Sequence, residues 1–244
     1  MKIGIFGDSF ADNKNGGTPF NQEVSWPSLL SNKFNVTNYS KAGSGVEYSL
    51  SKLFEFASKY DKLILTLTSP ERLYINPDHH HKLRDDNELY HHIRPADIRK
   101  RKKDVFFNKA SDVALESFDI FNNTDFDNIR MALYIKALRY HFGEKLLLLS
   151  CTKMNTRYNI GFNAWAHNEL SLIDIFYYEN ETLFPDGKID WDNDQRSCHL
   201  THWHHNMLYS KIVKWIHTNK FKLTKKDLVS LNKDELIQGY FGKW

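Results

Sequence analysis

Short apolar runs, separated by longer amphipathic stretches, recur along the chain. Near-continuous apolar runs at residues 3–6, 62–68 and 145–150 predict central strands that are buried on both faces. The alternating run at 34–39 is rich in β-forming residues and predicts a shorter strand. The first apolar run stops at Gly7-Asp8-Ser9, which predicts a tight turn that presents a serine.

Helical spacing of the apolar residues predicts that helices fill the intervals between these strands. Ser25 is a candidate N-cap for the first helix, with Pro27 in its first turn, and Thr201 is a candidate cap for the last core helix. The other predicted helices cover residues 47–60, 112–121, 125–142, 201–217 and 225–238, and the helix at 47–60 has Leu50, Leu53, Phe54 and Phe56 as its expected apolar side. Residues 170–176 fit either a helix or a strand.

Strands that alternate with helices predict a doubly wound α/β layer fold in which the strand-end loops converge on one face. At 244 residues the chain fits one domain, which we place at 1–218, followed by a helical extension at 219–244. Residues 73–111 differ from the rest because they are rich in histidine and basic residues. We interpret them as an insertion over the carboxyl face of the sheet.

Composition and charge narrow the class of protein. A hydrophobic content of 41% and a charged content of 26% are typical of a globular domain with a real core. A net charge of +3 is too small to indicate a nucleic-acid or membrane partner, and no apolar run is long enough to span a bilayer. The start of the chain lacks the pattern of a signal peptide, and two cysteines make no disulfide framework, so a cytoplasmic location is expected.

The serine at position 9 is the candidate nucleophile, because a residue at the carboxyl end of a first strand lies where α/β folds place their chemistry. A serine hydroxyl needs a base, and His199, just before the last core helix, is the candidate. Three acids in the same loop could hold the second ring nitrogen of that histidine: Asp190, Asp192 and Asp194.

An acyl-transfer intermediate also needs fixed N–H donors for its oxyanion. The candidates are the backbone N–H groups of Ser9 and of Gly43, which lies in a glycine-containing turn after the second strand. A third donor is expected from Thr68, Ser69 or Arg72, at the end of the third strand.

These motifs resemble the conserved blocks of the SGNH/GDSL hydrolase family. Residues 7–10 (Gly-Asp-Ser-Phe) resemble its first block, Gly43 its second, and His199-Leu-Thr its last. The resemblance implies a flavodoxin-like three-layer α/β/α sandwich with a mainly parallel sheet. It also implies a serine nucleophile, a histidine base, ester hydrolysis without a cofactor, and in many members removal of acyl groups from sugars.

Two positions depart from the family pattern. The third block of the family has an Asn after the third strand, whereas residues 67–72 contain none. The family's Asp lies three residues before its histidine, where this chain has Arg196; Asp194 is the nearest acid, and a Ser–His dyad is the alternative. We expect Asp8 and Arg72 to contact the substrate.

The sequence therefore predicts a serine hydrolase that cleaves an acyl ester of a small molecule or a carbohydrate, with O-deacetylation of a carbohydrate as one candidate reaction. The alternatives are acyl transfer to another alcohol at the same site, and a non-catalytic binding or structural protein that has lost part of it. No metal site is expected: His202 and His205 share a helix face without a neighbouring Cys or Glu ligand, and the histidines at 79–81 are consecutive. The basic run at 99–103 is interpreted as a solvated face.

Overall fold

The computed structural model describes residues 1–13, 23–68, 73–74, 92–93, 124–151, 170–187 and 200–229. Six strands occur in this part of the chain: β1 Lys2–Phe6, β2 Asn35–Asn38, β3 Lys62–Leu67, β4 Leu73–Tyr74, β5 His92–Ile93 and β6 Leu146–Ser150. Strands β2, β1, β3 and β6 form, in that order, a sheet in which every neighbouring pair is parallel. Strands β4 and β5 form a separate antiparallel pair.

Six α-helices are described: α1 Trp26–Ser31, α2 Val46–Phe56, α3 Thr124–Phe142, α4 Leu172–Leu183, α5 His202–Thr218 and α6 Lys225–Val229. Two short 3-10 helices, Ala57–Lys59 and Gly143–Lys145, directly follow α2 and α3. The predicted helix at 112–121 lies outside the described residues, as does the part of the last predicted helix beyond residue 229. The segment that fitted either a helix or a strand is helix α4. Its type is explained by a capping box, in which Ser171 and Asp174 satisfy each other's backbone N–H groups.

The two faces of the sheet bury different side chains, because successive residues of a strand point to opposite sides. Ile3 and Ile5 of β1 pack on one face with helices α1, α4 and α5, and the core cluster there also contains Ile64 of β3. Phe6 of β1 and Leu65 of β3 pack on the other face with α2 and α3. The predicted three-layer α/β/α sandwich with a mainly parallel sheet is confirmed.

The strand order fixes where the sheet reverses its winding direction. The chain passes from β1 through α1 to β2 on one face, and from β2 through α2 to β3 on the other. Counting only the strands of the main sheet, the order is 2-1-3-4, as in flavodoxin-like folds. The topological switch point is therefore between β1 and β3, and α/β folds place ligands beyond the carboxyl ends of the strands at that point.

One predicted core position is wrong. Phe54 was expected on the apolar side of its helix, but it is 58% exposed. The buried face of α2 is Val46, Ser49, Leu50 and Leu53, and Phe54 lies about 100° around the helix from Leu53, off that stripe. Its ring instead contacts Phe142 at the end of α3, with 5.8 Å between the centroids.

The segment after α5 packs on the main core. Leu223 and Leu228 belong to the same core cluster as Ile212 and Trp215 of α5, and Lys211 of α5 forms an ion pair with Asp227 at 2.8 Å. The domain boundary at residue 218 stays a prediction. Within the described residues, no helix has both the length and the apolar character that crossing a membrane requires.

Gly7, directly after β1, occupies a position that only glycine fits. Its φ is +155°, and a Cβ at this position would lie 1.7 Å from Thr66 Oγ1 and 3.1 Å from the Thr66 carbonyl oxygen. We expect Gly7→Ala to destabilise the protein by about 3 kcal/mol, because the added methyl group must displace the neighbouring strand. Urea unfolding followed by circular dichroism measures the loss.

Gly187→Ala is the matched control. Gly187 also has a positive φ, +71°, but nothing lies within 4 Å of the point that an alanine Cβ would occupy there. The control therefore carries only the conformational cost, about 1 kcal/mol. Equal losses of stability in the two variants would contradict a steric role for the approach of Thr66.

Candidate active site

Ser9 lies on a tight turn at the carboxyl end of β1, at the switch point of the sheet. The Asp8 carbonyl accepts hydrogen bonds from Ala11 N and Asp12 N, both at 3.0 Å, which closes the turn. Asp8 and Phe10 are 1% and 7% exposed, whereas Ser9 between them is partly exposed. The turn thus buries both neighbours and leaves the serine at the surface of the crevice.

The Gly43 turn is bound to the Ser9 turn by hydrogen bonds. The Gly7 carbonyl accepts from Lys41 N and from the Ser44 hydroxyl, both at 3.0 Å, and Asp12 Oδ2 accepts from Ala42 N at 2.7 Å. Gly43 is exposed with a φ of +79°. These bonds bring together two of the predicted site residues, Ser9 and Gly43, although their oxyanion roles stay predictions.

Asn38 adds a second connection between the same two turns, and sequence reasoning assigned it no role. Its side-chain amide donates to the Ala11 carbonyl at 2.7 Å and to Asn13 Oδ1 at 3.1 Å, and its oxygen accepts from Ser40 N at 2.9 Å. The available signal was an Asn at the end of the second strand, and the structure shows that this strand pairs with β1.

Thr68 is the predicted third-strand residue that the structure describes. It follows β3 directly, on the other side of the switch point from Ser9, and is 2% exposed. Ser69 and Arg72 lie outside the described residues, so the rest of this predicted donor set is not placed. The described residues bring Ser9, Gly43 and Thr68 to the carboxyl ends of β1, β2 and β3.

The Asp8 side chain is held inside the protein. Its Oδ1 accepts from Phe10 N at 3.1 Å, from the Cys151 thiol at 3.3 Å and from the Thr66 hydroxyl at 3.5 Å. With 1% of the residue exposed, this carboxylate fixes the turn before Ser9, and that arrangement favours positioning over the substrate contact that we expected. Cys151 is 2% exposed.

The predicted base and its acids, His199, Asp190, Asp192 and Asp194, lie outside the described residues. The description resumes at Leu200, which is fully buried, and Thr201, which occupies the N-cap position of α5. The Thr201 side chain makes no capping bond, which differs from the predicted cap. Its hydroxyl instead donates to Glu179 Oε1 at 2.6 Å.

Glu179 of α4 is the centre of a buried polar cluster that sequence reasoning missed. Its Oε1 accepts from Thr201 N at 2.8 Å and from the Thr201 hydroxyl, and lies 2.5 Å from His204 Nδ1. Glu179 and His204 are both 0% exposed. The cluster therefore fixes the start of α5, two residues after the predicted base. Burial of His202, also in this turn, lowers its pKa, and the nearby Glu179 carboxylate partly opposes that shift.

His205 connects the start of α5 to the Ser9 turn. Its Nδ1 accepts from Trp26 N at 3.2 Å, and Trp26 Nε1 donates to the Phe10 carbonyl at 3.0 Å. Because Nδ1 accepts, the ring carries its proton on Nε2 when neutral. The fully buried His205 and Trp26 thus form a rigid link between α5, α1 and the residue after Ser9. Among the described residues, no group of three His, Cys, Asp or Glu side chains is arranged to hold a metal ion.

No protein-family model matches the chain, and no curated protein matches it. Among solved structures, it is similar to a lipase/acylhydrolase from Enterococcus faecalis, with 14% identity and a TM-score of 0.39 over 91% of this chain and 99% of the other. It is also similar to the acetyl xylan esterase AlAXEase, with 12% identity and a TM-score of 0.43 over 88% and 100% of the two chains.

A third similar structure is a member of the lipolytic protein G-D-S-L family from Veillonella parvula DSM 2008. It shares 13% identity with a TM-score of 0.35 over 88% of this chain and 97% of the other. The chain resembles SGNH/GDSL hydrolases. At these identities and TM-scores the similarity transfers neither an activity nor a substrate to this chain.

Proposed function

We propose that the chain is an SGNH-type serine hydrolase that cleaves acyl esters. The observation that carries the proposal is the position of Ser9, partly exposed on a hydrogen-bonded turn at the switch point, next to the exposed Gly43 turn. A nucleophile needs access to substrate and a fixed backbone around it, and this turn supplies both.

In the proposed reaction, Ser9 Oγ attacks the ester carbonyl carbon while His199 takes the hydroxyl proton. The backbone N–H groups of Ser9 and Gly43 stabilise the negative charge on the carbonyl oxygen, with a further donor from Thr68 or Ser69. His199 then protonates the departing alcohol. Water, deprotonated by the same histidine, attacks the acyl-enzyme and releases the acid and Ser9. Asp194 orients the His199 ring.

The substrate class follows from the resemblance of the motifs alone: a small acyl ester, with an O-acetyl group on a carbohydrate as the first choice, and Arg72 as a substrate contact. No cofactor takes part in the proposed reaction. A single domain at 1–218 with an insertion at 73–111, and a cytoplasmic location, remain predictions.

The test is labelling of the full chain with a fluorophosphonate probe, followed by mass-spectrometric location of the adduct. We expect one adduct, on Ser9, because the probe forms a stable phosphonate ester only with an activated serine. Heat-denatured protein is the control and should not be labelled. An adduct on a different serine would contradict the assignment of Ser9 as the nucleophile. No adduct and no esterase activity would favour the non-catalytic alternative. That alternative is supported by the absence of an Asn at 67–72 and by Arg196 at the position of the family's Asp.

A further inference from the structure

A cleft of about 660 Å³ lies towards the opposite end of the sheet from Ser9. Its walls come from the end of α3, the start of β6 and the segment that leads from α5 into residues 219–222. The side-chain amide of Asn219, just after α5, donates a hydrogen bond to the carboxylate of Glu144, just before β6. The side-chain oxygen of Asn219 accepts one from Lys62 Nζ, at the start of β3. Because parallel strands begin at the same end of a sheet, this cleft is separate from the candidate active site.

Positive charge dominates this cleft. Its lining residues include five cationic side chains and one carboxylate, that of Glu144: the cations are Arg139, Lys211, Lys214, Lys220 and Lys222. Asp227, which pairs with Lys211 at 2.8 Å, adds a second carboxylate. Five cations and two carboxylates leave an excess of three positive charges at the cleft. That excess is as large as the net charge of the whole chain, +3.

Arg139 is a partly buried cation of the cleft, unlike the exposed Lys214 and Lys220. Its Nη1 donates to the Leu146 carbonyl at 3.2 Å, but its Nε is buried without a hydrogen-bond partner in the described part of the chain. Burial lowers the pKa of the Arg139 guanidinium. Within the described ranges it forms no ion pair with a carboxylate. A partly buried guanidinium costs free energy that a bound anion would offset, and its planar N–H groups match phosphate oxygens.

The cleft also has an apolar wall. Leu147, Trp215 and Phe221 line it beside the cations; because Leu147 and Trp215 are each only 3% exposed, Phe221 supplies most of the accessible apolar surface. Phe221 is partly buried, and the Trp215 ring lies under Lys62 Nζ at 4.8 Å. A ligand that fits both parts carries an anionic group and an apolar body. The volume is within the roughly 300–1,000 Å³ that is usual for small-molecule sites.

We propose that this cleft binds a small organic phosphate. The phosphate group contacts Arg139, Lys214 and Lys220, and the apolar part of the ligand packs against Phe221. The site is independent of the proposed esterase activity, because its residues lie away from the Ser9 turn.

Isothermal titration of the full chain with phenyl phosphate, at fixed ionic strength, tests the proposal. The test variant is Lys214→Glu/Lys220→Glu, which reverses two exposed cations of the cleft and leaves Arg139 in place for folding. The control is Lys33→Glu/Lys59→Glu, which reverses two exposed lysines outside the lining of the cleft and makes the same change in net charge. Fluorophosphonate labelling of Ser9 in all proteins reports on the active site separately.

We expect the test variant to bind phenyl phosphate at least tenfold more weakly than the wild type, the control variant to change by less than twofold, and labelling of Ser9 to be equal in all three. Inorganic phosphate should bind the wild type several-fold more weakly than phenyl phosphate, because it lacks the apolar part. Equal losses in both variants would overturn the proposal in favour of general charge attraction. Absence of phenyl phosphate binding would also overturn the proposal. This holds even if a single-stranded oligonucleotide, titrated in the same way, binds to the protein.

Discussion

Ser9→Ala is expected to lower kcat/KM for p-nitrophenyl acetate by roughly a thousandfold or more, to the level of the uncatalysed reaction plus binding effects. The reason is that no acyl-enzyme can form without the hydroxyl. The other groups of the site can then bind the ester and stabilise its oxyanion, but the enzyme supplies no nucleophile. The measurement is the initial rate of p-nitrophenolate release at several substrate concentrations.

The fold should not change in this variant. The turn is closed by the Asp8 carbonyl, which accepts from Ala11 N and Asp12 N, and by the Asp8 carboxylate, which accepts from Phe10 N. Removal of a partly exposed hydroxyl leaves all three bonds in place. Thermal unfolding should therefore shift by little, so that a loss of activity reports on chemistry.

Ser51→Ala is the matched control, because Ser51 is an exposed serine in the middle of α2, away from the strand ends. Its rate should equal that of the wild type. A Ser9→Ala protein that keeps more than a tenth of the wild-type kcat/KM would contradict the nucleophile assignment. Hydrolysis would then have to come from another residue of the chain.

The strands of the main sheet were predictable because burial on both faces leaves a direct mark on the sequence. Leu63, Ile64 and Leu65 form a continuous apolar run, and the structure places alternate members of it in the two core clusters. The position of Ser9 was predictable for a related reason. The apolar run of β1 stops at Gly-Asp-Ser, so the serine follows directly after the carboxyl end of a buried strand. The strand order then adds the switch point, which the sequence alone did not specify.

The Glu179 cluster was not predictable because its signal is not local. Glu179 lies in a helix between Tyr178 and Asn180, and nothing in the adjacent sequence distinguishes it from a solvent-exposed Glu. Its partners, Thr201 and His204, are 22 and 25 residues away and meet it only through the packing of α4 on α5. Phe54 shows the reverse case, in which an apolar residue close to the buried stripe of α2 was assigned to it and is instead exposed.

Glu179→Ala is expected to destabilise the protein by about 3–5 kcal/mol, because it leaves several buried hydrogen-bonding groups without their partner. The change leaves Thr201 N, the Thr201 hydroxyl and His204 Nδ1 without the oxygen that all three contact. His204 has no exposed surface through which water could replace that oxygen. Urea unfolding, followed by circular dichroism and by tryptophan fluorescence, measures the loss.

Two further variants separate the contribution of the Glu179 charge from that of its acceptor oxygen, and both from the effect of replacing any Glu on this helix. Glu179→Gln keeps an acceptor oxygen for Thr201 and removes the charge, so it should cost less, about 1–3 kcal/mol. Glu181→Ala is the matched control, because Glu181 is exposed on the same helix, and it should stay within about 0.5 kcal/mol of the wild type. A Glu179→Ala protein as stable as the control would contradict the structural role of the cluster.

The same variants connect the cluster to the proposed chemistry. Glu179 holds the backbone N–H of Thr201, two residues from His199, so it acts on the reaction only through the placement of that loop. In Glu179→Ala, which removes the acceptor of the Thr201 N–H, displacement of the histidine should lower kcat for p-nitrophenyl acetate and leave KM nearly unchanged, when the protein is assayed well below its unfolding transition. A purely structural cluster would leave both constants at the wild-type values once the protein is folded. The separation of kcat from KM thus decides whether this buried carboxylate serves stability alone or also the position of the base.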